Sequence, residues 1–155
     1  MKSLALLTAL VAFSTSAFAE ASYQDVNELK AVKAVVVVFT NQVTDGCLRN
    51  SAVLKLGAEL ILRKSGIPVV PVESAAHELK IQARGFRYEQ QCTAVVTVDL
   101  FRFVHLPEGY FGRVTSYDNV DLLAYPESEM QERLYNSVSE IISDLANEIL
   151  KAQGK

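Results

Sequence analysis

Residues 31–40, Ala-Val-Lys-Ala-Val-Val-Val-Val-Phe-Thr, are β-branched and apolar on both alternating faces. The pattern predicts a strand covered on two sides in the middle of a sheet. A polar turn over residues 41–46 follows, and a helical pattern starts at once. Thr44 or Asp45 is suited to cap a helix over residues 47–64, in which Leu48, Ala52, Leu56 and Leu60 form a stripe widened by Val53 and Ile61. Arg49, Lys55, Glu59 and Arg63 fall between them, and Ser65-Gly66 supplies the stop.

Residues 67–72 are apolar but hold Pro68 and Pro71, which cannot donate ladder hydrogen bonds; they read as an edge strand or one of limited pairing. Strand, helix and strand at this spacing predict a βαβ unit. Residues 74–87 read as a short helix leading into an irregular segment, although Leu79, Ile81 and Ala83 alternate as in a strand. Residues 93–105 are the clearest strand. Ala94, Val96, Val98, Leu100 and Val104 lie on one face; Val95, Thr97, Asp99, Phe101, Phe103 and His105 lie on the other. A turn over residues 106–109 returns the chain through residues 110–125, completing a hairpin. Pro126 interrupts it, Ser128-x-x-Gln131 matches a capping box, and a last helix over residues 127–151 presents Met130, Leu134, Val138, Ile141, Leu145 and Ile149 on one stripe. The expected fold is a single α+β (α/β) domain over residues 31–152, with a mixed sheet of about four strands and two main helices. Residues 20–30 are expected to be an irregular lead-in.

This order of elements resembles small α/β modules of bacterial envelope proteins: the amino-terminal domain of TolB, the curli secretion lipoprotein family, and the lipoprotein activators of penicillin-binding proteins. The resemblance covers most of the chain beyond residue 19 and is one of element order. It implies a binding or scaffolding role in envelope assembly. Those lipoproteins carry a lipidated cysteine that this pattern lacks, and the propeller of TolB is missing.

The amino terminus fixes a location. Lys2 precedes an apolar run from Leu4 to Phe13, and Ala17-Phe18-Ala19 matches the A-x-A cleavage pattern. Residues 1–19 are read as a signal peptide cleaved after Ala19, which places the protein in the periplasm; a buried helix is the alternative. No cysteine follows the run and no later stretch is long enough to span a bilayer, so neither a lipid anchor nor a transmembrane segment is expected. With Lys2 removed, 14 basic side chains face 18 acidic ones, which argues against nucleic acid as a partner.

Two cysteines, Cys47 and Cys92, allow one intramolecular pairing, and export favours a disulfide. The alternative is a reactive thiol at Cys47, beside the expected helix start. Catalytic motifs are missing from the sequence: no G-x-x-x-x-G-K-[ST], G-x-G-x-x-G, G-x-S-x-G or H-E-x-x-H. His77 and His105 lie in different elements, and Asp99, Asp118 and Asp121 read as a solvated sheet face. No catalytic, metal or cofactor residue is nominated. The aromatic side chains of the hairpin stand out instead. Phe101, Phe103, Tyr110 and Phe111 form an exposed apolar patch if helices cover only one face of the sheet, and such patches mark partners; the equal alternative is that these rings fill a second small core under residues 74–91. The expected function is a non-enzymatic envelope protein that binds or positions a protein partner. A small-ligand or lipid-binding protein, using a groove between the sheet and the last helix, is the alternative; a small hydrolase is the third.

Overall fold

The computed structural model describes residues 21–155, so the expected signal peptide lies outside it. The strands are β1 (Ala21–Gln24), β2 (Val35–Val43), β3 (His77–Tyr88), β4 (Gln91–His105) and β5 (Phe111–Pro126). The helices are α1 (Val26–Lys30), α2 (Ala52–Lys64) and α3 (Glu127–Ala152). They build a single α+β domain around a mixed sheet in the order β1-β5-β4-β3-β2, in which β2 and β3 run parallel and all other neighbours antiparallel. Four strands are long; β1 is a short fifth at one edge.

Period-two burial decides the architecture. Val35 and Val37, Leu79 and Ile81, Val96, Val98 and Leu100 are buried with Leu134, Val138, Leu145 and Ile149 of α3 in one core. The alternate positions Val36, Val38, Lys80, Gln82, Thr97 and Asp99 are only half-buried. The helices therefore cover one face, and among the described residues nothing covers the other. The whole stripe expected for α3 is buried. At 26 residues, this helix spans the sheet as its principal cover.

Several expectations are corrected. The apolar strand at residues 31–40 is not central: β2 is an edge strand, paired along its length with β3 and on its other side only at Val35. Val36 and Val38, on the uncovered face, are only half-buried, so apolarity on both faces did not require two covering layers. Residues 67–72 make a single bridge, Val35 with Val69, before the chain leaves the edge; limited pairing was the expected behaviour. Residues 74–87 are no helix. A 3-10 turn over Val72–Ser74 leads into β3, which pairs on both sides and is central. Its outward charges, Glu78, Lys80 and Arg84, belong to the open face and hid the strand's alternation. Residues 20–30 are not an irregular lead-in: they include β1 and α1, where Asp25 accepts from the Asn27 and Glu28 amides at 3.0 and 3.2 Å and Leu29 is buried.

The helix expected from residue 47 begins at Ala52, after a turn in which Asp45 and Gly46 take φ of 60° and 79°. Cys47 is thus not at a helix N-terminus, which removes the basis for an activated thiol. The buried stripe of α2 is Leu54, Ala58 and Leu62, not Leu56 and Leu60, which are exposed. The stop is as read: Gly66 at φ 80° lets the amides of Gly66 and Ile67 donate back to Arg63 and Leu62 at 3.1 and 2.9 Å. Gly57 meets α3 closely, since a Cβ there would lie 2.9 Å from the ring of Tyr135. The Ser128/Gln131 box does not form. Pro126 caps α3 without a side-chain bond, and Gln131 accepts from the Arg49 and Asn50 amides at 3.1 and 3.0 Å, tying down the turn before α2. Cys47 and Cys92 form the expected disulfide, both buried, with Cα atoms 5.8 Å apart. It pins the same turn to the start of β4.

Candidate docking surface

The hairpin is longer than the sheet that carries it. Pairing of β3 with β4 stops at Glu78 and Phe101, and pairing of β1 with β5 stops at Gln24 and Tyr117. Beyond those rungs β4 and β5 continue alone, through Phe103 with Arg113 to His105 with Phe111. The result is a two-stranded arm. A register shift after Leu100 leaves Ser116 as the extra residue of β5 where the arm departs.

One face of the arm is aromatic. Phe101 and Phe103 meet edge to face at 5.4 Å, and His105 and Phe111 lie 4.2 Å apart. The guanidinium of Arg113 sits 3.9 Å over the Phe101 ring and 3.6 Å from a carboxylate oxygen of Asp99. Arg113 and Phe103 bury Phe101, which is 3% exposed, so of the four residues expected to form a patch Phe101 is the one withdrawn from it. Phe103, Tyr110 and Phe111 are 62, 67 and 69% exposed. Phe86 and Tyr88 are also exposed, at the opposite end of the open face where β3 pairs with β4. They were not singled out from sequence; the alternation through residues 84–88 would have revealed them had the segment been read as a strand.

The base of the arm is fixed from the helix side. Arg102 donates to both carboxylate oxygens of Glu28 on α1, at 2.7 and 3.0 Å. These bonds hold the Glu28 carboxyl below the usual carboxylate range. Beneath them His77 is 3% exposed and neither ring nitrogen has a hydrogen-bond partner. Burial, and secondarily the Arg102 charge, lowers its pKa, while Glu28 opposes the shift. A histidine held neutral by the fold stabilises it fully above the unfolded pKa of about 6.5, and that stability drains away as pH falls toward the lower folded value. The urea midpoint is therefore expected to drop between pH 7.5 and pH 5, above the range in which Glu28 titrates. His77→Phe should flatten that dependence; an unchanged slope in the variant would remove His77 as its source.

The remaining candidates do not assemble into chemistry. His105 stacks on Phe111 at the arm's tip, far along β4 from the acids of the sheet. Asp99 pairs with Arg113, and Asp121 accepts from the Ser137 hydroxyl at 2.6 Å on the helix side rather than on the open face. Among the described residues no cluster of three or more His, Cys, Asp or Glu side chains could hold a metal ion. The groove expected between the sheet and α3 is filled by core side chains along most of its length, leaving a cavity of about 200 Å³ where Asp121 of β5 faces Ser137, Glu140 and Ile141 of α3. A cavity of about 430 Å³ lies between the starts of α2 and α3, where Glu127 pairs with both Arg49 and Arg87. No helix among the described residues is long and apolar enough to cross a membrane.

A one-sided mixed sheet under a long helix, stapled by a disulfide, defines a small α+β protein with an open face and a projecting arm. Solved structures of PelC share that fold. One is the PelC dodecamer of Paraburkholderia phytofirmans, at 14% identity and a TM-score of 0.55 over 83% of this chain and 96% of that one. A point variant of that dodecamer matches at 14% identity and a TM-score of 0.51, over 83% of this chain and 98% of the other. A candidate lipoprotein of Caulobacter crescentus CB15 matches at 17% identity and a TM-score of 0.37, covering 80% and 96% of the two chains. No protein-family model matches the chain, and no curated protein matches its sequence. None of these structures is one of the three families to which element order pointed; what the PelC structures share with this chain is the fold. The expectation of no lipid anchor is corrected: lipoproteins, which carry such anchors, are among the structures similar to this chain, and that expectation is withdrawn.

Proposed function

We propose that this chain is an exported, non-enzymatic protein of the bacterial envelope that docks a protein partner through the arm of its β4–β5 hairpin. The observation that carries the reading is the projecting, two-stranded arm with Phe103, Tyr110 and Phe111 in solvent. Large rings held on paired backbone lose little conformational freedom on binding, and their burial drives association. The export pattern at residues 1–19 and the buried disulfide support an oxidising compartment outside the cytoplasm.

Site-specific photocrosslinking from position 111 in living cells tests this. One abundant, discrete protein adduct is expected, and it should weaken when Phe103 is replaced by serine. Absence of an adduct at 111 and at 103 would count against the arm as a docking site. A second reading is favoured by one observation: PelC, with a similar fold, is a dodecamer. In that reading the arm meets another copy of this chain, and the adduct has twice the chain's mass and yields its peptides alone.

A further inference from the structure

The edge of the sheet formed by β2 has chemistry of its own, independent of the arm. It is nine residues long, and residues 35–43 hold no charged side chain and no proline. Proteins ordinarily guard such an edge with charges, prolines or bulges, because its free N–H and C=O groups template another strand. The opposite edge, β1, is only four residues long.

The orientation of those groups follows from the rung already occupied. Val35 donates to Pro68 O and accepts from the Val70 amide, both at 3.0 Å, so its backbone points away from β3. By the two-residue period the backbones of Val37, Phe39, Asn41 and Val43 point the same way. Val37 is 2% exposed and belongs to the core, and the Val43 amide donates to Asn41 Oδ1 at 2.9 Å. The N–H and C=O of Phe39 and Asn41 and the C=O of Val43 remain, without partners among the described residues. The Thr44 amide donates to Gly85 O at 3.0 Å, which keeps this end of β2 attached to β3.

A slot of about 540 Å³ reaches the first of these rungs, at Phe39; it is lined by Val37, Phe39, Val70 and Val72 and flanked on α2 by Lys55 and Arg63. The two cations share one carboxylate, Glu59, at 3.9 and 3.2 Å, so the flank carries a surplus positive charge. We infer that the β2 edge over residues 39–43 is a binding site for an extended polypeptide segment of a partner protein, added as a further strand, with uncharged side chains on the rungs and a carboxylate toward Lys55 and Arg63. An alternating ladder of donors and acceptors is complementary to peptide backbone rather than to sugars or lipids. An extended chain is also already seated on the first rung, at Val69.

The test uses the purified chain lacking residues 1–19 and the peptide acetyl-Thr-Val-Glu-Val-Thr-Val-amide, read by amide hydrogen exchange. The Phe39 and Asn41 amides should exchange fast alone and about tenfold or more slowly with excess peptide. A peptide N-methylated at alternate residues should give no slowing, and Lys in place of Glu should weaken the effect. No slowing at millimolar peptide would overturn the inference. So would slow exchange of both amides without peptide in a sample that sediments as a dimer or larger, because a second copy would then own the edge. Neither result depends on crosslinking at position 111, so this site and the arm stand or fall separately.

Discussion

Replacing Cys47 and Cys92 with alanine lowers the unfolding free energy by about 4 kcal/mol. The closed loop has a sequence separation of 45 residues, and in the chain-entropy model that constraint on the unfolded chain gives about this magnitude. Set against the roughly 5–15 kcal/mol that separates folded from unfolded states of ordinary domains, the loss removes a large share of the stability. The folded state contributes as well. Both cysteines lie in the core, so truncation leaves space beside Leu48 and the start of β4. The segment at residues 44–51 would keep the Thr44–Gly85 bond, buried Leu48, the Gln131 contacts and the exposed Arg49–Glu127 pair, none of which constrains the unfolded chain as a covalent link does. Urea unfolding of wild type and double variant, with thiol titration confirming no free thiol in the unreduced wild type, measures the difference. A loss under about 1 kcal/mol would mean that the reduced chain keeps these segments together without the bond.

What the sequence disclosed follows the physics of each segment. The disulfide was legible because two cysteines in a chain read as exported leave one pairing. The hairpin was legible because β4 alternates cleanly on both sides of Leu100, and α3 because its stripe faces a core on one side and water on the other. β3 was not, since its outward positions carry Glu78, Lys80 and Arg84 where a helix surface would carry them too, and only pairing with β2 and β4 decides the matter. β2 was recognised as a strand but misplaced. Apolar residues on both faces suit a doubly covered strand, and they equally suit an edge whose outer face is half-shielded by its neighbours. Of the four aromatic residues named for the patch, Phe103, Tyr110 and Phe111 are exposed and Phe101 is not. Burial of Phe101 depends on Arg113, twelve residues away across the turn, a contact that no local pattern reveals.

The two apolar series of α2 are the sharpest case, and they make the second large prediction. Leu56 and Leu60 are spaced like a core stripe, yet so are Leu54, Ala58 and Leu62, two residues out of phase and therefore about 200° around the helix. Both cannot face the sheet. Leu54 is 0% exposed and Leu56 is 62% exposed. The close approach of Gly57 to Tyr135 and the late start at Ala52 set this rotation. Leu54→Ala is expected to destabilise by about 2–5 kcal/mol, the transfer term plus the cavity it leaves. Leu56→Ala should change stability by no more than about 0.5 kcal/mol, because little apolar area leaves the core and alanine is the better helix former. Paired urea denaturation of the two variants decides between the rotations. Equal losses would require Leu56 to be covered in solution as Leu54 is, which only an associated partner on the outer face of α2 could provide; a reversed order would place the wrong stripe of α2 against the sheet.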